Sequence, residues 1–249
     1  MSKNSGGYMG VQVGKLGPAV GSMWKGRNVY RAYNPFVKNP RTEKQQLQRA
    51  RFSVIAKLAT SMSNVVNFGF ASKASQERNL PRALFIRENM PCVHANTVDS
   101  VTVDYADLVV SRGGLDTPRF GTPQFDTPQQ VAVSFSTAVV GCATDDDHVC
   151  LGVYCPDARE CVFDKSAKRS DGSAVVDVPA YWSGMKVHVW GFALAGVDEV
   201  TFIPNYNGYM YPGQTSDSVY IGTGNIGSPG YAGVPPAKNS RTIHGNSAL

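Results

Sequence analysis

The residues through which this 249-residue chain could do acid–base, nucleophilic or metal chemistry are few: four histidines, five cysteines and one run of carboxylates. Asp145-Asp146-Asp147-His148 is the one stretch that gathers metal-ligand types. It lacks the glycine and the distal glutamate of a calcium loop, and Asp-rich tight turns commonly do no more than connect strands. His188 alternates with Val187 and Val189, as a structural residue on a strand face does, and His244 falls in the C-terminal tail. Cys92, Cys142, Cys150, Cys155 and Cys161 are odd in number, which fits reduced, mostly buried thiols. Cys155 and Cys161 have five residues between them, not the two of a zinc ribbon. There is no nucleophile elbow, no His-Glu-x-x-His and no Walker lysine, and Gly222-Thr-Gly224 opens no helix. The expectation is a non-enzymatic chain without metal or cofactor.

Charge is more informative than chemistry. Residues 1–51 carry a net +9, residues 52–90 a net +3 and residues 91–249 a net −7. A basic N-terminal part joined to an acidic remainder points to two roles. The basic part meets either nucleic acid or the acidic surface of a neighbouring copy. Hydrophobic residues make up 42% and charged residues 17%, enough to bury a core. No apolar run approaches the ~18 residues of a membrane span. Met1 to Gly10 is polar and glycine-rich, so no secretory signal is expected there.

The elements that must position these residues fall into four stretches. Residues 1–41 read as an extended basic arm in which Val20–Trp24 and Asn28–Ala32 flank Lys25-Gly26-Arg27 as a β-hairpin. Its aromatics Trp24, Tyr30, Tyr33 and Phe36 are interleaved with Lys15, Lys25, Arg27, Arg31, Lys38 and Arg41. Such a cluster anchors the hairpin to another protein surface or stacks on nucleic-acid bases. The turn residues Gly17-Pro18, Gly21, Gly26 and Pro35 imply a defined path, which favours protein docking. Residues 42–97 read as a helical segment. Thr42 and Gln45 form a capping box before a long helix with Leu47, Val54, Leu58, Met62 and Val65 on its apolar stripe, and a short helix follows Asn79. From 98 to 222 the period changes to two, with Val131/Val133/Phe135, Val149/Leu151/Val153 and Val187/Val189 separated by turns. That is the pattern of a small immunoglobulin-like β-sandwich. A loop over 204–217 carries Tyr206, Tyr209 and Tyr211, a rigid amphipathic contact set, and residues 223–249 form an irregular tail. The fold class expected is therefore mainly β with an N-terminal α part.

Several segments together resemble a family without assigned activity, encoded by gut bacteria of the Bacteroides type and by their phages and prophages. They include Gly14-Lys-Leu-Gly-Pro-Ala-Val-Gly-Ser-Met-Trp-Lys-Gly26, Asn39-Pro-Arg-Thr42 with Gln45, Arg49, Arg51 and Phe52, and Pro179-Ala-Tyr-Trp-Ser-Gly184. The Asn39-to-Phe52 stretch is also similar to an N-terminal stretch of tailed-phage structural proteins. Together with the extended aromatic-bearing termini and the absent catalytic set, the resemblance leads to the expectation of a structural or assembly protein of a virion, capsid- or tail-associated, that multimerises through arm and tail. The expected partners are copies of itself and other virion proteins, with no membrane. A nucleic-acid-binding protein using residues 1–51 and a surface adhesin are the alternatives. The 204–217 loop and the 223–249 tail depart from the resembling pattern and suit specialised contacts.

Overall fold

The structure, a computed structural model, describes residues 3–5, 11–24, 27–36, 39–196 and 214–227. It is mainly β, with its helices near the N-terminus, as the sequence periodicity predicts.

Four strands come first: β1 (Lys3–Ser5), β2 (Val11–Leu16), β3 (Ala19–Trp24) and β4 (Arg27–Ala32). They form an antiparallel meander in that order. The predicted hairpin is present as β3–β4, with Trp24 paired to Arg27 at its tip. The stretch expected to be an extended arm thus holds a sheet. Gly17, at φ +56°, supplies the left-handed residue that the two-residue β2–β3 loop requires. β1 and β2 escape a pattern reading because the alternation of Val11 and Val13 ends at Gly14.

The helices are α1 (Glu43–Ser61), α2 (Ser63–Gly69), α3 (Ala71–Gln76) and α4 (Pro81–Asn89). The predicted apolar stripe is real, but Met62 leaves helical geometry (φ −96°, ψ 19°) and divides it between α1 and α2. Thr42 has the extended backbone of an N-cap but donates and accepts no side-chain cap bond. The capping box is therefore not formed. Gln46, one residue beyond Gln45, reaches back instead and donates to the Arg41 carbonyl at 2.9 Å.

β5 (Val93–Ala95) and β6 (Val101–Val103) make a small hairpin. β7 (Gln130–Ser134) later pairs with β10 (Ser173–Asp177). The main sheet contains β8 (His148–Cys155), β9 (Glu160–Lys168), β11 (Lys186–Leu194) and β12 (Val219–Asn225), in the antiparallel order β12-β11-β8-β9. Its two faces are both covered. Val149, Leu151 and Val153 of β8 and Val187 and Val189 of β11 meet Val131, Val133, Ala174 and Val176 from the β7–β10 pair, with Trp182 fully buried among them. Cys150 and Tyr154, with Trp190 and Phe192, meet Ile55, Met62, Val65, Phe70 and Phe85 of the helical layer. Each such side chain taken fully out of water stabilises by roughly 1.5–3 kcal/mol.

Two antiparallel sheets, of four and two strands, thus face each other as a sandwich requires. The outer face of the larger one carries helices, where a freestanding immunoglobulin-like sandwich would meet solvent. The chain from α1 to β12 is three layers around two apolar cores.

Candidate interaction surfaces

The N-terminal sheet belongs to neither core. All six residues of β4 are exposed, and Gly21 is the one buried position among its described residues. Strand parity sorts its side chains. Gly14, Gly21 and Tyr30 are cross-strand partners, as are Leu16, Ala19 and Ala32, and Met23 faces Asn28. Side chains alternate along a strand, so these residues share one face, and that face holds no charge. The other holds Lys15, Val20 and Arg31 in one register and Ser22, Val29 and Arg27 in the next two. Lys15 places its Nζ 3.8 Å from the centre of the Tyr33 ring, so Tyr33 belongs to the cationic face. Tyr30 lies on the uncharged face over Gly21, its ring 3.2 Å from where a Cβ would stand.

The aromatics expected to act together are therefore divided. Tyr30 and Tyr33 take opposite faces, and Phe36 lies beyond the sheet at 85% exposure. Arg27, Arg31 and Arg41 are exposed. Lys25, Lys38 and the Trp24 side chain lie outside the described residues, as do Tyr206, Tyr209 and Tyr211. The C-terminal foot of that tyrosine loop is firmly seated, which composition alone did not reveal. Thr215 bridges Leu194, Ser216 Oγ accepts from Ala193 N at 2.7 Å, and Ser111 Oγ donates to the Ser216 carbonyl at 2.6 Å. Small hydroxyl residues carry no periodic signal, so this node is visible only in three dimensions.

The Asn39-to-Phe52 stretch resolves into a clip and a groove. Arg49 donates to the Asn39 side chain and Gln46 to the Arg41 carbonyl, tying the Asn39–Thr42 turn to α1. Arg51 donates to the Val93 and Met90 carbonyls at 2.8 and 2.9 Å, fixing α1 to the end of α4. Between α1 and α4 runs an open groove of about 580 Å³ lined by Arg49, Phe52, Lys57 and Arg82 with small polar neighbours.

Of the residues singled out for chemistry, Asp146, Asp147 and His188 are held in structural contacts, and His244 lies outside the described residues. Asp147 is buried beside Arg169, Oδ2 to Nε 3.6 Å, and accepts from Thr144 N and Oγ1 at 2.8 Å. Asp146 pairs with Lys168 at 3.0 Å at the surface. His188 stacks on Tyr105, ring centres 4.3 Å apart, and its Nδ1 lies 2.9 Å from Tyr220 Oη. Burial, aided by Lys186, pushes its imidazole down to about 4. None of the five cysteines forms a disulfide among the described residues, and burial pushes the Cys161 thiol up to about 12. Among the described residues no three His, Cys, Asp or Glu side chains converge as a metal site, and no helix is long and apolar enough to cross a membrane.

Fold and surfaces together define a mainly β protein, with helices on one face of its principal sheet and a separate N-terminal sheet of two unlike faces. The chain belongs to the DUF6266 family of unknown function, whose profile matches residues 11–203. That match starts at the first residue of β2 and runs past β11, so strands β2–β4 of the two-faced sheet and the α1–α4 groove lie within it. No curated protein and no solved structure matches the chain.

Proposed function

We propose that the protein is a non-enzymatic assembly component, part of a phage virion, that joins copies of itself through its N-terminal sheet. The observation that carries this reading is the uncharged face of Leu16, Met23 and Tyr30, each at least 44% exposed on a sheet that has no core of its own. A small isolated sheet is marginal in water, so stacking this face on another surface supplies the missing burial. The cationic face, with Lys15, Arg27 and Arg31, is then turned toward the acidic remainder of a neighbouring copy. The phage and prophage affiliation of the resembling sequences supports the virion setting. Tyr206, Tyr209 and Tyr211, which precede the anchored Thr215 and Ser216 in the chain, supply a second contact.

Sedimentation of the full chain beside a variant lacking residues 1–41 tests the reading. The full chain forms homo-oligomers, and the truncated protein stays folded and monomeric. Normal assembly of the truncated protein overturns it. The triple variant Leu16→Ser, Met23→Ser, Tyr30→Ser should reproduce the truncation, since it removes the uncharged face and spares the cations.

A further inference from the structure

The groove between α1 and α4 combines features that a merely solvated helix face lacks. Arg49, Phe52 and Lys57 lie along one side of α1, and Arg82 crosses from α4 to donate to the Ala56 carbonyl at 3.1 Å. Phe52 follows Arg49 by three residues and shares its helix face, while Lys57, five residues beyond the ring, lines the same groove from its flank. Phe52 is 51% exposed in the middle of this basic strip. The remaining lining is small or uncharged, Gln48, Ser53 and Thr60 among it, and no described carboxylate lines the groove. From Arg49 to Lys57 the helix rises about 12 Å. A lone hydrophobic ring framed by three cations complements a ligand with a regular anionic backbone and flat apolar faces.

We propose that this groove binds single-stranded nucleic acid, with Phe52 as the stacking platform for a base and Arg49, Lys57 and Arg82 as contacts to the flanking phosphates. Stacking on an aromatic face is open to every unpaired base and closed to a base inside a duplex, which selects the single strand. The site is independent of the N-terminal sheet, so it stands whether or not that sheet mediates assembly.

The test is fluorescence anisotropy of the full chain with labelled oligodeoxythymidylate and oligouridylate across a salt series. Three phosphate contacts give a slope of log K against log salt near −2, at about −0.7 per contact for single strands. Phe52→Ala weakens binding roughly 5- to 150-fold, the range of one lost base stack. Lys57→Glu with Arg82→Glu weakens it at least tenfold and leaves the sedimentation profile unchanged. Lys57→Glu alone gives the same direction of change, and because Lys57 is exposed, that variant keeps the fold even if the double variant does not. A preference for deoxyribo- or ribo-oligomer names which single strand the groove takes. The proposal is overturned by absence of binding at low salt, or by equal affinity in the Phe52→Ala protein. It is also overturned if poly-glutamate displaces the oligomer as well as the oligomer itself does, which would mark an acidic protein as the ligand. Loss of binding in Arg27→Glu with Arg31→Glu but not in the groove variants places the site on the sheet and overturns it too.

Discussion

Gly152 sits where β8 passes under α2, and a Cβ there would stand 3.0 Å from Val65 Cγ2. Gly152→Ala should therefore cost about 1–3 kcal/mol, the usual penalty of overpacking a well-filled core. Adding Val65→Ala should recover part of that loss, a coupling that a double-mutant cycle of urea melts would measure. His188 makes a pH-dependent contribution of predictable sign. Its pKa is near 4 when folded, against about 6.5 for a free imidazole, so the unfolded chain binds the extra proton between those values. Stability from this group is complete above about pH 6.5 and is lost as the pH falls toward 4, by roughly 3 kcal/mol in all. Urea melts at pH 7.5 and pH 4.5 should show this loss, and His188→Gln should flatten it. An unchanged slope in that variant means other groups carry the acid response. The role of His188 was legible as a strand-face residue, whereas its Tyr105 and Tyr220 partners come from distant segments and left no local signal.

The N-terminal sheet behaves as an element of its own, since none of its described residues enters either core. A Cβ at Gly21 would stand 2.3 Å from the Gln12 carbonyl oxygen. Gly21→Ala must push β2 away from β3. The expected outcome is loss of homo-oligomers in sedimentation with little change in the main thermal melt. A large drop in that melt would show that the sheet is integral to the body. Part of this element was written plainly in the sequence: the β3–β4 hairpin follows from aromatic and β-branched runs around Lys25-Gly26. Its division into a charged and an uncharged face was legible too, because Tyr30 and Tyr33 differ in parity. Grouping them as one cluster by proximity in the chain missed this. The split of the long helix at Met62 was not legible, since Leu58, Met62 and Val65 keep helical spacing across the break.

For the whole molecule, stability rests on two apolar cores and on no crosslink seen among the described residues. Chelator and reductant should each leave the thermal melt unchanged, because Asp147 is committed to Arg169 and no disulfide is formed among the described residues. A marked drop with chelator would reopen the Asp145–His148 turn as a metal site. The strands of the sandwich were readable from alternation at 131–135, 149–153 and 187–189. The helical layer on the far side of the main sheet was less so. Its one sequence trace is β8, where Cys150 and Tyr154 are apolar between the alternating valines and Leu151, so that the strand is buried on both sides. A near-continuous apolar strand of this kind signals cover on two faces rather than one.

The opposition of charged and uncharged faces at the N-terminus depends on counting residues in twos. Single substitutions alter one face at a time, but inserting or deleting one residue between Gly26 and Tyr30 would carry Tyr30 to the cationic side and Arg31 to the apolar side together. Length changes of one in β4 should therefore be purged during evolution while changes of two persist. The reading frame of the strand, more than the identity of any residue in it, is what selection has to protect.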